Sequence, residues 1–166
     1  MQRKRVYLES SVISYLTARP SNDIRKQAKQ GYTLEWWLGR DKYDLFVSTL
    51  VRDEIGRGNP GAALLRLNVI SELLHLEESP TMKKIVDELI DSNAVPEKSR
   101  DDAYHIALAA VHKMDYILTW NQSHIANPQK REQIETVLRR FGLVPPVILT
   151  PEQLLEIESC LNQEMP

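Results

Sequence analysis

Acidic side chains stand at two places in this sequence where an apolar segment meets a helical pattern. Glu9 directly follows the short apolar segment 6–8, and Asp102 stands at the start of the helix-period stretch 100–114. In open α/β sheets, ligand sites form beyond the carboxyl ends of the strands, beside the helices that follow. Since hard divalent cations prefer oxygen ligands, these positions predict a cation-binding pocket.

Two further side chains complete the candidate set of ligands. Glu54 lies on a predicted helix that begins near Leu50, and it shares a helix face with Leu50, which Asp53 does not clearly do. Asn121 follows the apolar strand 116–119, and its amide oxygen can ligate a hard cation without adding charge. Three carboxylates and one amide suit one Mg²⁺ or Mn²⁺ ion better than two.

The choice of Asp102 over its neighbour Asp101 rests on helix geometry. Asp102 shares a face with Ile106, four residues on, so it points inward, whereas Asp101 is turned away by roughly 100°. Small apolar residues recur on that inward face and permit close packing against the sheet. They are Ala103, Ala107 and Ala110.

Neighbouring polar side chains are expected to position these ligands or to contact the substrate. Ser11 and Thr119 are candidate donors that orient the carboxylates. His105, one turn after Asp102, is a candidate base or ligand but is interpreted as a packed, hydrogen-bonded residue. The same interpretation applies to His124, which has the better case for touching the substrate because it lies in the loop 121–127. Glu9 has a second interpretation, in which it only complements the positive end of the next helix, with Ser10 or Ser11 as its cap.

The motifs that carry these residues resemble those of the PIN-domain ribonucleases, in particular their VapC-like toxin branch. Segment 6–16 (Val-Tyr-Leu-Glu-Ser-Ser-Val-Ile-Ser-Tyr-Leu) resembles the family's opening motif. Segment 102–109 (Asp-Ala-Tyr-His-Ile-Ala-Leu-Ala) is similar to its third motif, and segment 119–127 to its fourth. Glu54 falls where the family has its second-motif Glu. The family usually has Asp where Glu9 stands, and many members have a fourth acid in place of Asn121.

This resemblance implies a three-layer α/β/α PIN-like fold with a central, mostly parallel sheet. It also implies a metal-dependent endoribonuclease whose Mg²⁺ or Mn²⁺ ligands are Glu9, Glu54, Asp102 and Asn121. Hydrolysis by a metal-activated water would leave a 5′-phosphate and a 3′-hydroxyl. The implied partners are an RNA substrate, a cognate antitoxin whose tail fills the acidic groove, and a second copy of the chain in a homodimer.

The chemistry of such a site follows from its residue types. Clustered carboxylates repel one another and raise each other's pKa values until a divalent cation compensates them. The bound cation lowers the pKa of its water and neutralises the charge that develops on the phosphate oxygens. None of the candidate residues is an obvious covalent nucleophile.

Composition limits the remaining classes of function. The chain has 166 residues and a formal net charge of -2, so RNA binding is expected to be local and strongly dependent on salt. The one cysteine, Cys160, excludes a disulfide framework within the chain and is interpreted as incidental. The absence of a membrane-length apolar run or a signal core predicts a cytoplasmic protein.

Apolar runs alternate with helical patterns along the chain, which predicts a parallel sheet covered by helices. One nuclease domain is expected over residues 1–150, with 151–166 as a C-terminal helix and tail of the same domain. The predicted strands are 6–8, 45–49, 74–76, 116–119 and 147–149. The predicted helices with both ends assigned cover about 12 to before 20, 21 or 22 to 42, 62–74, 81–91, 97–114 and 128–141. Two more helices are predicted to begin near 50 and at 150.

Two other functions remain open at this point. A catalytically weak PIN-like module that binds RNA or protein is favoured by Glu9 and Asn121, the two departures from the family pattern. A phosphatase of the aspartyl-phosphate type is disfavoured, because it needs an Asp nucleophile at the position of Glu9. Trp36, Trp37 and Tyr43 are candidates for a partner surface, although a core role is expected for at least one tryptophan.

Overall fold

The computed structural model describes residues 2–165, which form five strands and eight α-helices. Residues 1 and 166, the first and last of the predicted domain, lie outside the described residues. The strands are β1 (Lys4–Leu8), β2 (Tyr43–Ser48), β3 (Leu74–Leu76), β4 (Tyr116–Leu118) and β5 (Val147–Leu149). The helices are α1 (Ser10–Thr17), α2 (Ile24–Leu38), α3 (Thr49–Ile55), α4 (Pro60–Ile70), α5 (Met82–Asp91), α6 (Arg100–Val111), α7 (Arg131–Arg140) and α8 (Pro151–Glu164).

The five strands form one sheet in the order β3-β2-β1-β4-β5, and all four pairings are parallel. This confirms the predicted α/β fold, with a sheet that is parallel throughout. The chain builds outward from β1 in one direction through β2 and β3, and then crosses to the other side for β4 and β5. The order therefore reverses between β1 and β4, which is where open α/β sheets form their ligand sites.

The helices pack in two groups that complete the three layers. Helices α1 to α4 and α8 contact one another, and α5 to α7 form the second group. The sheet is buried between them, and β1 ends in three fully buried residues, Val6, Tyr7 and Leu8. Ala103, Ala107 and the other small residues of α6 are also fully buried, as their spacing predicts.

Several helix boundaries differ from the predicted ones, for local reasons. Helix α2 begins at Ile24 because the Asp23 carboxylate caps it, accepting hydrogen bonds from the backbone N–H of Arg25 and Lys26. It passes through Gly31 without a break and ends at Leu38, so the predicted continuation to residue 42 is wrong. A short 3-10 helix covers Arg40–Lys42 instead, and another, Glu97–Ser99, precedes α6.

Other local signals are confirmed in detail. Thr150 and Gln153 form the predicted capping box at the start of α8, with Pro151 in the first helical position. Gly142 follows α7 with a φ of 72°, a conformation that favours glycine. Trp36 is almost fully buried and lies beside Trp37 and Tyr43, which agrees with a core role for one tryptophan.

Within residues 2–165, none of the helices combines the length and the apolar character needed to cross a lipid bilayer.

Candidate active site

Glu9 is the first residue after β1, and it is only 6% exposed. One carboxylate oxygen, Oε2, accepts a hydrogen bond from the backbone N–H of Ser11 at 2.9 Å. The other, Oε1, accepts from the hydroxyls of Ser11 at 2.5 Å and Thr119 at 2.6 Å. Glu9 itself is therefore the N-cap of α1, and the expectation that Ser10 or Ser11 caps this helix is wrong. The Glu9 side chain is long enough for its carboxylate to contact both the start of α1 and Thr119, which follows β4.

The donors of Glu9 also join the carboxyl ends of the two central strands. The backbone N–H of Trp120 donates to the Ser11 hydroxyl at 2.8 Å, and that of Asn121 donates to the Thr119 hydroxyl at 2.9 Å. The backbone N–H of Glu9 donates to the carbonyl of Leu118 at 3.1 Å. Glu9 thus lies in the crevice between β1 and β4, where the strand order reverses.

Glu54 approaches the same edge from α3, which follows β2. Its Oε1 accepts a hydrogen bond from the Ser10 hydroxyl at 2.7 Å and lies 2.6 Å from Nε2 of His105. Partial burial raises the pKa of Glu54, but the His105 and Ser10 hydrogen bonds and the positive charges of His105 and Arg57 lower it further, so the net direction is downward. The expectation that clustering raises the pKa of these carboxylates is wrong for Glu54, because its nearest partner is an imidazole.

His105 connects Glu54 to the interior of the sheet. The His105 side chain is 1% exposed, and its Nδ1 lies 2.7 Å from the Tyr7 hydroxyl. That hydroxyl lies 2.8 Å from the Ser48 hydroxyl, which accepts the backbone N–H of Val51 and so caps α3. A continuous chain of hydrogen bonds therefore runs from the Glu54 carboxylate into the core.

The pKa values of His105 and Tyr7, the two buried ionisable members of this hydrogen-bond chain, are both raised. Burial lowers the pKa of His105, but the hydrogen bond and charge of Glu54, with the charges of Glu9 and Asp102, outweigh it and raise the pKa above the ordinary value. Burial, with the charges of Glu9 and Glu54, holds the pKa of Tyr7 far above its ordinary value despite the Ser48 hydrogen bond. Tyr7 is therefore neutral, and His105 responds to all three acidic residues.

Asp102 reaches the site from the first turn of α6. Its Oδ2 lies 2.9 Å from Nδ1 of His124, and Asp102 is partly buried, whereas Asp101 beside it is exposed. The amide oxygen of Asn121 accepts the backbone N–H of His124 at 3.1 Å. Asn121 therefore shapes the loop that presents His124, and His124 in turn holds the Asp102 carboxylate.

The structure thus brings the four predicted ligands to one edge of the sheet, but each is engaged by hydrogen bonds. No group of three or more His, Cys, Asp or Glu side chains within residues 2–165 is arranged to hold a metal ion. The donor types, carboxylate and amide oxygens, fit a hard divalent cation. The ligand roles of Glu9, Glu54, Asp102 and Asn121 accordingly stay predictions.

Two residues of this network, Tyr7 and Ser48, were not predicted from the sequence, and Ser10 was predicted only as a helix cap and not as a partner of Glu54. Tyr7 sits inside an apolar strand, Ser48 ends β2, and Ser10 follows Glu9. Ser48 carries a local signal, since a serine just before a helix is a common cap. Tyr7 carries none, because a tyrosine in a buried strand is ordinary and its partner His105 is 98 residues away in sequence.

A parallel sheet with acidic residues at its switch point defines the class of the protein, which has a PIN-like fold. No protein-family model and no curated relative matches the sequence. The solved structures that are similar to it include the following two. One is VapC20 of Mycobacterium tuberculosis, described as a toxin that cleaves the sarcin–ricin loop, with a TM-score of 0.58 and 15% identity over 74% of this chain and 95% of that chain.

The second similar structure is VapBC2 of Rickettsia felis, described as bound to a DNA fragment from its promoter. Its TM-score is 0.52 and its identity 12%, over 88% of this chain and 98% of that chain. At such identities the likeness establishes the fold. The resemblance to the VapC-like branch of PIN domains is therefore confirmed at the level of architecture.

Proposed function

We propose that the protein is a metal-dependent endoribonuclease and the toxin of a type II toxin–antitoxin pair. The observation that carries this proposal is that Glu9, Glu54 and Asp102, from three separate chain segments, all lie near His105 at the switch point of a PIN-like fold. His105 is bonded to Glu54, and its pKa responds to the charges of all three acids. Such a cluster attracts a cation.

The proposed roles follow from the contacts. Glu9, Glu54, Asp102 and Asn121 would hold Mg²⁺ or Mn²⁺, in exchange for some of their present hydrogen bonds. When bound, the cation would supply an activated water and neutralise charge on the scissile phosphate.

The surrounding side chains have positioning roles in this proposal. Ser11 and Thr119 orient the Glu9 carboxylate, since both donate to its Oε1. His105 orients Glu54 from the buried side. His124, which is 28% exposed beside Asp102, positions that carboxylate and is the side chain best placed to touch the substrate.

The two similar structures support the choice of partners. VapC20 is described as a toxin that cleaves the sarcin–ricin loop, and VapBC2 as bound to a DNA fragment from its promoter. By analogy, we infer an RNA substrate, a cognate antitoxin and a homodimer acting in the cytoplasm. The antitoxin's tail would compete for the same acidic edge.

Cleavage of a mixed RNA pool with Mg²⁺ or Mn²⁺ tests the proposal. The Asp102→Asn variant keeps the side-chain shape but removes the charge, so we expect cleavage to fall by at least about 10²-fold, the scale of lost metal assistance. Asp101→Asn is the matched control, because Asp101 is exposed on the same helix turn. Equal cleavage by the two variants would reject the site.

A second readout separates the nuclease from a catalytically weak binding module. The specific observation that favours the module is that every candidate ligand is already hydrogen-bonded. We expect Mn²⁺, at a hundred times its Kd, to stabilise the wild type by about 2.7 kcal/mol and so to raise its melting temperature. The melting temperature of Asp102→Asn should not rise. Stabilisation without cleavage of any RNA would favour the module.

A further inference from the structure

Two cavities meet along the exposed face of α1. One, of about 370 Å³, lies between α1 and the start of α2. The other, of about 790 Å³, lies between α1 and α4. Ser14, Ala18 and Arg19 border both cavities, so the two adjoin along α1, and together they are hereafter called the α1 groove.

The α1 groove differs from three other surface cavities in the charge of its lining. Among the described residues that line it, every charged side chain is basic: Arg19, Lys26 and Arg66. Other surface cavities mix the two signs, as where Arg131 faces Glu156 and Glu164. In a chain with a net charge of -2, this segregation of positive charge is a local feature and not an effect of composition.

The α1 groove leads to the acidic edge. Ser14 lies one helical turn from Ser10, whose hydroxyl donates to Glu54. On the α4 wall, Arg66 donates through Nε to the carbonyl of Ile55 and through a terminal nitrogen to that of Arg57, both at 2.8 Å. The Arg66 guanidinium is thus anchored at the end of α3, directly beside the helix turn that carries Glu54.

The far end of the α1 groove is held in place. The Gln30 side chain donates to the carbonyl of Arg19 at 2.8 Å and accepts the backbone N–H of Ser21 at 3.0 Å. These bonds tie the loop after α1 to α2, so the backbone of Arg19 is ordered. Tyr15 adds an aromatic wall, half-buried against Trp120.

We propose that the α1 groove binds the sugar–phosphate backbone of the single-stranded RNA that flanks the scissile bond, with Arg19 and Arg66 contacting phosphates. A basic groove lined by an aromatic ring is the arrangement that binds single strands without reading their sequence. This inference rests on the proposed function, since the groove has this role only beside a site that acts on RNA.

Binding of a short, labelled single-stranded RNA by fluorescence anisotropy tests the groove. The Asp102→Asn background keeps the RNA intact. We expect Arg19→Gln to weaken binding severalfold and to make the slope of log affinity against log salt shallower by about 0.7, the value of one phosphate contact on a single strand. Arg19→Lys, which keeps the charge, should restore most of the slope. Arg139→Gln, on the exposed face of α7, is the control and should change neither quantity.

The outcomes separate the groove from the nuclease. RNA cleavage by the wild type, with an unchanged salt slope in Arg19→Gln, would overturn the groove and leave the nuclease standing. Arg19-dependent RNA binding without cleavage under any metal would reject the nuclease and, with it, the role of the groove in flanking a scissile bond, and would leave the groove as a surface that only binds RNA. If the Asp102→Asn protein with Arg19 intact does not bind the RNA, the proposed role of the α1 groove is wrong. If Arg19→Gln loses binding to a polyglutamate peptide but keeps binding to RNA, the proposal is also wrong, and the groove is assigned to an acidic protein partner.

Discussion

The two ends of β1 and β4 both carry a carboxylate, but in opposite electrostatic settings. At the amino end, Asp115 accepts the backbone N–H of Arg5 at 2.8 Å and lies 3.7 Å from the ammonium of Lys4. The Arg5 side chain in turn donates to the carbonyl of His112 and lies over the ring of Phe46. Here the acid is neutralised within the fold.

At the carboxyl end, neutralisation by the fold is incomplete. Within residues 2–165, no lysine or arginine forms a salt bridge with Glu9, Glu54 or Asp102. Their partners are hydroxyls, the backbone N–H of Ser11 and the imidazoles of His105 and His124. A carboxylate paired with a cation contributes to folding, whereas a cluster held by hydroxyls keeps its negative potential for a ligand. The difference separates a structural acid from a candidate functional one.

The largest change in activity that tests this difference between the two ends is expected from a substitution of Glu54. We expect Glu54→Gln to lower the initial rate of RNA cleavage by about 10²-fold, because it removes one of three charges that hold the cation. Asp53→Asn, at the exposed neighbouring position, should leave the rate unchanged. A similar loss in both variants would show that α3 matters for folding and not for chemistry.

A smaller effect is expected behind the carboxylates. Tyr7→Phe keeps the ring but removes the hydroxyl between His105 and Ser48, so His105 loses its buried partner. We expect cleavage to fall about tenfold, the scale of lost outer-shell support. Unfolding by urea should show a loss of about 1 kcal/mol. A stability loss with full activity would mean that the hydrogen bonds between His105, Tyr7 and Ser48 only support the core.

The amino end should respond in the opposite way. We expect Asp115→Asn to lower the free energy of unfolding by about 1 kcal/mol, since it weakens a charged hydrogen bond and a partly exposed ion pair. RNA cleavage should remain at the wild-type rate. Activity lost in Asp115→Asn would remove the contrast between the ends.

The smallest effect concerns pH. Because the pKa of His105 is raised, its contribution to stability is present below its ordinary value of about 6.5 and is lost as pH rises through the raised one. The lowered pKa of Glu54 gives a contribution present above about 4.3 and lost as pH falls through the lowered value. In metal-free buffer, the stability advantage of the wild type over His105→Gln should therefore peak between these values. An advantage that grew above pH 8 would contradict the assigned shifts.

Local patterns were sufficient for most of the fold. Strand 6–8 and the capping box at Thr150 depend on residues that are neighbours in the chain, and both are confirmed. The inward turn of Asp102 relative to Asp101 also follows from the helical period alone. The end of α2 was not predicted, although the C-cap residue, Gly39, is a local stop signal that the sequence carries.

The sequence by itself determined the element order, the parallel sheet and the acidic residues worth testing, because periodicity and capping act over a few residues. Only the tertiary structure decided what those acids touch. Glu9 caps its own helix and reaches Thr119, 110 residues away, and Glu54 meets His105, 51 residues away. Such contacts depend on strand order, which no local pattern encodes. The same holds for the α1 groove, whose basic residues come from separate helices and share a surface only after folding.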